Sequence, residues 1–460
     1  MRTGSTIILA RLLIPEQFGL VGMVTALTGF SETFKDLGLS DATVQQKNIT
    51  HEQVSTLFWI NTSLGVMITL FVVAVSPAIA WFYSEPRLLE VSLVLSLSYL
   101  FSGLTVQHQA ILRRQMRFVQ IGSVHVLSSA IGVALGITMA IRDCGYWALV
   151  GMNLSTTIFT AVGTWTICRW RPGYHMSLAK IGSMLRFGRD ITGFNIINYF
   201  SRNLDNILIG RYCGAGSLGL YDRAYKLMML PIQQVRVPLA SVGMPALSTL
   251  QNDPGKFRLY YKKFLSILSF FYMPLVVYLI IYSDVIILLL LGKDWIDAAY
   301  IFKILGITAF IQPVSTTRGL VMVSCGKTKK YLISGIANAL GMILTFSIGI
   351  HWGVTGIAIG YAIANYSMLL PLLYYSFNET PISISLFFKA IALPAFCSMM
   401  MGLILIIMAN KIQYENALSE LVVSLLAAII IYCTIFLLFP RGRERLIEYC
   451  RYPLMVFKRY

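Results

Sequence analysis

Charged residues are scarce in this chain: 12% of its 460 positions, where a soluble protein of this length carries roughly a quarter. Polar stretches long enough to build a soluble domain are missing altogether. The seven cysteines form no CxxC pair, and the five histidines do not cluster, so no zinc site of ordinary ligand spacing is encoded. Cys144 and Cys213 would lie near the outer surface without a spacing that marks a disulfide, while Cys325, Cys397 and Cys433 sit in or beside apolar segments as small hydrophobes. Nothing resembles a P-loop, an HExxH helix or a GxSxG elbow, so no ATP, metal or other cofactor is implied and no enzyme chemistry is expected. Gly214-Ala-Gly216-Ser-Leu-Gly219 does fit GxGxxG, but no strand precedes it; its glycines suit a tight helix-to-helix turn. No cleavable signal peptide is expected at Met1 to Ile14, which lacks a small-residue cleavage site and runs into Pro15.

What is abundant is apolar sequence: 57% of residues are hydrophobic and the mean hydropathy is +0.70. A helix rises 1.5 Å per residue, so about 20 apolar residues cross the roughly 30 Å of hydrocarbon. Segments of that kind recur at 3–14, 18–39, 55–82, 88–112, 118–141, 146–168, 188–211, 217–249, 262–291, 298–324, 331–350, 353–375, 386–409 and 417–439. The expected fold class is an all-α polytopic membrane protein of about fourteen spans. The first segment is too short to span and reads as the outer half of an incomplete helix.

A net charge of +17 would point to nucleic acid in a soluble protein. Here it follows the loops instead. With the N-terminus inside, 24 Lys and Arg fall in inner loops and tails, 6 in outer loops and 7 within segments. That alternation predicts an even number of spans, both termini in the cytoplasm and no nucleic-acid partner. The basic tail after Arg441 serves as a topology anchor or touches anionic lipid.

The chain also repeats itself. Residues 8–20 align without a gap on 208–220, bringing Arg11, Gly19 and Leu20 over Arg211, Gly219 and Leu220. A weaker echo pairs Gly145 with Gly353, again at short outer turns. The reading is two six-helix lobes, 1–170 and 171–376, followed by 377–460 with two more helices and the tail. Repeats in a polytopic protein point to a transporter.

RLLIPEQFGL at 11–20, DLGLS at 36–40, QQK at 45–47 and TLFWIN at 56–61 closely resemble the opening of bacterial polysaccharide exporters of the O-antigen and colanic-acid type. NLDNILIGR at 203–211 and GLYDRAYK at 219–226 are similar to the start of that family's second lobe. These exporters belong to the multidrug/oligosaccharidyl-lipid/polysaccharide flippase superfamily. The resemblance covers nearly the whole chain and departs at the N-terminus, where family members carry a complete first helix. It implies two lobes around a central cavity that opens alternately inward and outward. It also implies an undecaprenyl-diphosphate-linked oligosaccharide as cargo in the bacterial inner membrane, with membrane lipids and polysaccharide assembly enzymes as neighbours.

Ionisable groups inside a membrane are costly and default to functional candidates. Seven cations, Lys35, Arg202, Arg223, Lys226, Arg236, Lys303 and Arg318, outnumber four acids, Glu32, Asp36, Asp205 and Asp222. A positive path suits a diphosphate, since guanidinium offers a planar fork to phosphate oxygens. Arg202 and Arg236 are expected near mid-membrane depth, Lys35 and Arg318 toward the cytoplasm, and Arg223 and Lys226 toward the exit. For Arg202 with Asp205, and for Asp222 with Lys226, mutual pairing at helical spacing stands as an equal alternative. Glu32 and Asp36 share a helix face and, tempered by Lys35, are candidates for a coupling H+ or Na+, with Asp205 and Asp222 as further carboxylates. The repeat sets Asp36 opposite Arg236, a pair expected to approach when the inner side closes. Pro231, Pro238 and Pro245 predict a bent helix. The rival readings are a multidrug or cation antiporter, which should lean acidic, and a polysaccharide polymerase or ligase, which needs a larger outer loop than the dozen residues at 409–420.

Overall fold

The computed structural model describes residues 2–31, 39–46, 49–174, 182–412, 416–440 and 442–457. Among them the fold is helical, as the apolar segments require: with no water in hydrocarbon, each span must satisfy its backbone internally. The helices are α1 (Arg2–Ala10), α2 (Pro15–Thr28), α3 (Leu39–Gln45), α4 (His51–Tyr83), α5 (Arg87–Arg114), α6 (Phe118–Ile141), α7 (Trp147–Cys168), α8 (Gly182–Thr249), α9 (Pro254–Ile281), α10 (Ser283–Leu290), α11 (Asp297–Ser315), α12 (Arg318–Ser324), α13 (Thr328–Gly349), α14 (Gly353–Ser367), α15 (Leu369–Phe377), α16 (Ile384–Lys411), α17 (Ala417–Leu438) and α18 (Gly442–Phe457). Eight continuous helical stretches among the described residues are long and apolar enough to cross a bilayer unaided. The stretch 182–249 is not among them, because its ionisable residues lower its hydropathy. The chain divides into two compact units, Met1–Asp222 and Arg223–Tyr460.

In the first unit α4 and α5 pack as an antiparallel pair in tight register. A Cβ on Gly65 would lie 2.9 Å from the Tyr99 carbonyl, and one on Gly103 would lie 2.7 Å from the Asn61 carbonyl. Thr69 Oγ1 donates to the Ser96 carbonyl at 3.0 Å along the same seam. α6 and α7 meet through Gly132 and Gly136, which lie against Met152, Thr156 and Ala148. Small residues at GxxxG spacing permit that close approach. α7 is tied to α5 by Trp165 Nε1, which donates to the Leu104 carbonyl at 2.9 Å.

α8 is one helical run with a single non-helical residue, Gly214 (φ 83, ψ 177). Only glycine adopts that conformation without strain, so the glycine run is a turn, as its position between apolar segments suggested. The backbone stays helical through Pro231, Pro238 and Pro245. Each proline costs a hydrogen bond, but none breaks the helix. Within the first unit the repeat becomes physical: a Cβ on Gly19 would fall 1.8 Å from the Ala215 carbonyl oxygen, and one on Gly219 would fall 1.9 Å from that of Pro15. These two contacts exchange under the 200-residue offset, so the two helix starts cross about a pseudo-two-fold axis. Gly145 (φ 57) and Gly353 (φ 67), the second echo, both turn in the left-handed region.

The second unit is built around α9 and α11, where Tyr272 donates to the Phe310 carbonyl at 2.8 Å, and α9 and α16, where Ser266 donates to the Ala390 carbonyl at 2.9 Å. Helix α18 was not foreseen in the basic tail. It docks Tyr449 among Phe270 and Phe436, with ring centroids 5.4 and 6.2 Å away, while Lys263 pairs with Glu448 at 2.6 Å.

Two loops of this unit are joined by Glu379, which pairs with Lys327 at 2.7 Å and Lys330 at 2.9 Å. The two ammonium groups hold its carboxyl at about 2, below its ordinary 4.5. A depressed carboxyl contributes fully above its unfolded value and loses its contribution as pH falls through the folded one. The stability difference between wild type and Glu379→Gln should therefore be present at neutral pH and close as pH falls toward about 2. Thermal unfolding across that range checks it; a difference independent of pH contradicts the pairing.

Candidate functional site

The ionisable residues of the membrane segments fall into separate environments. Glu32, Lys35 and Asp36 lie outside the described residues, and with them the expected Asp36–Arg236 approach. Arg202, on α8 before Gly214, is exposed, and it has no acid partner among the described residues. Asp205, three residues on, is buried, 8% exposed. It accepts from the Tyr221 hydroxyl at 2.9 Å and from the Asn206 backbone N–H at 2.8 Å. The Arg202–Asp205 pairing alternative is thus not what the structure adopts. Asp205 instead clamps the two limbs of α8 across the Gly214 turn, because a buried carboxyl is costly unless donors meet it.

Losing that clamp should be measurable. Tyr221→Phe removes the donor and leaves a buried acceptor short of a partner, so about 1–3 kcal/mol of stability should go. Thermal unfolding of the purified protein reads this; a Tyr221→Phe protein as stable as wild type would mean that the carboxylate needs no clamp.

Asp222, Arg223 and Lys226 follow on the second limb, each in contact with neighbouring groups. Arg236, on the same limb, is half-buried with no acid partner among the described residues. Lys303 is not a buried cation: it pairs with Asp284 at 2.5 Å, with both side chains well exposed (39% and 56%).

Arg318 is placed differently. The apolar stretch from Asp297 breaks after Ser315, beyond Pro313, and resumes at Arg318, so the guanidinium stands at the start of α12. It is half-buried and donates to the Ser315 carbonyl at 3.1 Å, with no carboxylate within ion-pair distance among the described residues. Tyr261 fixes the break by sharing a 2.8 Å hydrogen bond with the Thr317 hydroxyl. Tyr331 covers Gly319 beside it. A guanidinium held by one neutral carbonyl retains most of its donors for an anion.

A second polar cluster escaped the sequence reading. Asn61, Gln107 and His108 are fully buried in α4 and α5. Both amide atoms of Asn61, Nε2 of Gln107 and both ring nitrogens of His108 have no hydrogen-bond partner among the described residues. The antiparallel register that sets Gly65 against Gly103 brings Asn61 opposite Gln107, whose Oε1 accepts from Thr43 at 3.1 Å. His108 stacks on Trp165 at 4.3 Å, with Phe58 and Trp170 at its edges. The signal was available, as neutral polar residues in apolar segments, but a count of formal charges passes over them.

An all-helical membrane fold with an internal two-fold repeat, carrying guanidinium groups unmatched by acids among its described residues, defines a membrane transporter by architecture. The chain belongs to the polysaccharide biosynthesis protein family, whose model matches residues 8–300, and the expected resemblance holds. It is 25% identical over 392 residues to the lipopolysaccharide biosynthesis protein WzxC of Escherichia coli, covering 82% of this chain and 79% of that one. It is 24% identical over 460 residues to the teichuronic acid biosynthesis protein TuaB of Bacillus subtilis, covering 94% and 93%. Its fold is similar to that of the lipid II flippase MurJ in an inward-closed conformation, with a TM-score of 0.76 at 17% identity, covering 94% of this chain and 95% of that one. An inward-facing multidrug resistance MATE family transporter is a more distant neighbour, with a TM-score of 0.63 at 16% identity, covering 85% and 96%.

Proposed function

We propose that this protein carries a polyprenyl-diphosphate-linked oligosaccharide across the bacterial inner membrane by alternating access, supplying surface polysaccharide synthesis. The observation that carries the reading is Arg318, a guanidinium within the membrane segments with no carboxylate partner among the described residues. Such a group is costly without an anion, and a diphosphate is the anion that matches its fork. Membership of the polysaccharide biosynthesis protein family supports the cargo class, and WzxC and TuaB are named for lipopolysaccharide and teichuronic acid biosynthesis. Succinoglycan biosynthesis transport protein ExoT of Rhizobium meliloti is named for transport itself.

In this reading Arg202, Arg236 and Arg318 hold phosphate oxygens along the path, with Lys35 at entry and Arg223 and Lys226 toward exit. Glu32, Asp36, Asp205 and Asp222 are the carboxylates assigned to an H+ or Na+ counter-ion. Both termini are cytoplasmic, and charge neutralisation favours that orientation. At the end assigned outside, Arg87 is matched by Glu16 at 2.6 Å and Glu85 at 2.8 Å, whereas Arg117 and Arg169, at the other end, have no carboxylate partner among the described residues. The MATE-like fold favours a second reading, a multidrug or cation antiporter, which the excess of basic groups opposes.

Purified protein in liposomes, given a fluorescent polyprenyl-diphosphate sugar on one side and a dye cation in parallel, separates the two. Sugar-lipid flipping without dye efflux is expected, and Arg202→Ala with Arg236→Ala should lower flipping at least about tenfold, the loss of one charge-assisted contact. Flipping that survives both changes removes these two residues from the path, and dye efflux alone replaces the cargo.

A further inference from the structure

At the end of the first unit where α6 begins and α7 stops, the structure holds a cavity of about 450 Å³ lined by Arg117, Gln120, Thr166, Ile167, Cys168 and Arg169. Its origin is a change of side-chain size along one antiparallel pair. Gly132 and Gly136 let the two helices touch backbone to side chain in their middle. Toward this end the facing positions carry Val124 against Gly163 and then the larger Gln120 and Arg117, and the helices no longer close the space. The same register sets Arg117, the residue before α6, opposite Arg169, the residue after α7.

Two cations facing one another across a cavity repel unless something neutralises them, and among the described residues no carboxylate lines this one. Among the described residues Arg117 is held only by neutral acceptors: Gln115 Oε1 at 3.2 Å, the Ile167 carbonyl at 3.4 Å and, at close range, Gln120 Oε1. Arg169 has no hydrogen-bond or ion-pair partner among the described residues. The neighbouring arginines are otherwise engaged. Arg114 donates to the Thr43 and Gln46 carbonyls. Arg171 folds back over the Trp165 ring and donates to the Trp165 and Trp170 carbonyls. Arg169 (φ 53) also occupies a left-handed position that usually goes to glycine or asparagine.

What adjoins the cavity is apolar and uncovered: Met116, Phe118 and Val119 are 75%, 57% and 86% exposed. Side chains of that kind at a helix start face hydrocarbon or its boundary. An occupant must therefore present an anionic head to two guanidinium groups and apolar chains to Phe118 and Val119. We propose that this cavity binds the phosphodiester headgroup of an anionic membrane phospholipid, distinct from the transported cargo. The volume is within the range of small-ligand sites, with room for a glycerophosphate head but not for a string of sugars. The inference does not depend on what the protein carries.

The test uses the full-length protein in a neutral detergent, with thermal unfolding followed during titration by phosphatidylglycerol or by phosphatidylcholine of the same chains. The midpoint should rise with phosphatidylglycerol well beyond the rise with phosphatidylcholine. Arg117→Gln with Arg169→Gln should weaken that response about thirtyfold, at about one charge's worth of lipid attraction per arginine. Arg117→Lys with Arg169→Lys should keep most of it, which separates lost binding from lost folding. Arg142→Gln, at the opposite end of α6, should keep all of it. Four results overturn the proposal: equal responses to the two lipids, an unchanged response in the double glutamine variant, an equal loss in Arg142→Gln, or saturation by soluble glycerol phosphate at the same concentrations. If undecaprenyl diphosphate binding is lost in the double glutamine variant while phosphatidylglycerol binding persists, the cavity belongs to the cargo and the proposal also fails.

Discussion

Gly219→Ala should cost about 3 kcal/mol or more, at the upper end of what overpacking inflicts, and Gly19→Ala should match it. The reason is that the added carbon meets backbone, not a side chain that can swing aside. On Gly219 it would sit 1.9 Å from the Pro15 carbonyl oxygen, and on Gly19 it would sit 1.8 Å from that of Ala215. Both helix starts would have to part, and with them the crossing that relates residues 15–19 to 215–219. The two changes strain one crossing, so the double variant should lose less than the sum of the singles. The glycines of the intervening turn supply the comparison. Gly214→Ala puts a Cβ on a residue with φ 83 and open space around it, so its cost is conformational, about 1–2 kcal/mol. Gly216→Ala meets nothing within 4 Å and has ordinary φ, so it should be close to silent. Thermal unfolding and monodispersity of the purified variants read the series. Gly19→Ala and Gly219→Ala behaving like Gly216→Ala would mean that the helix starts do not cross as described.

Those glycines also mark what could be read before any coordinates. The gapless match of Arg11, Gly19 and Leu20 to Arg211, Gly219 and Leu220 predicted a repeat, and its physical content is the exchanged pair of contacts at Pro15 and Ala215. Spans were legible because hydrocarbon leaves the backbone one solution. Side-chain partners were less so. Helical spacing offers Arg202 and Asp205 to each other, but the turn at Gly214 brings Tyr221 from 16 residues away to the carboxylate first. Lys303 looked buried because its segment is apolar, whereas its pairing with Asp284 depends on how α10 and α11 fold against one another. The break ahead of Arg318 was announced by Pro313, yet a hydropathy window averages over such a break. Asn61, Gln107 and His108 were overlooked for a simpler reason: a membrane interior penalises unsatisfied neutral groups as well as formal charges.

Replacing Arg318 by methionine should move stability and transport in opposite directions. Its guanidinium is half-buried, contacts the Ser315 carbonyl and has no carboxylate partner among the described residues. An uncompensated charge in a poorly hydrated site costs several kcal/mol, and exchange for a well-packed apolar chain commonly recovers about 1–4 kcal/mol. The Tyr261–Thr317 bond that holds the break does not involve the guanidinium and should survive. Arg318→Met should therefore unfold at higher temperature than wild type. Flipping of a polyprenyl-diphosphate sugar should fall by about tenfold to a hundredfold, the loss of one charge-assisted contact to phosphate. Arg318→Lys keeps the charge but not the planar fork, so its flipping should lie between the two. Lys303→Met supplies the contrast, since an exposed pair with Asp284 contributes little. It should leave both quantities near wild type. A gain in stability with transport intact would place Arg318 off the path, and a loss of both would make it a structural residue. On the proposed function an anionic cargo would compensate for so costly a group during part of the cycle, and binding would then relieve a strain that the empty protein bears.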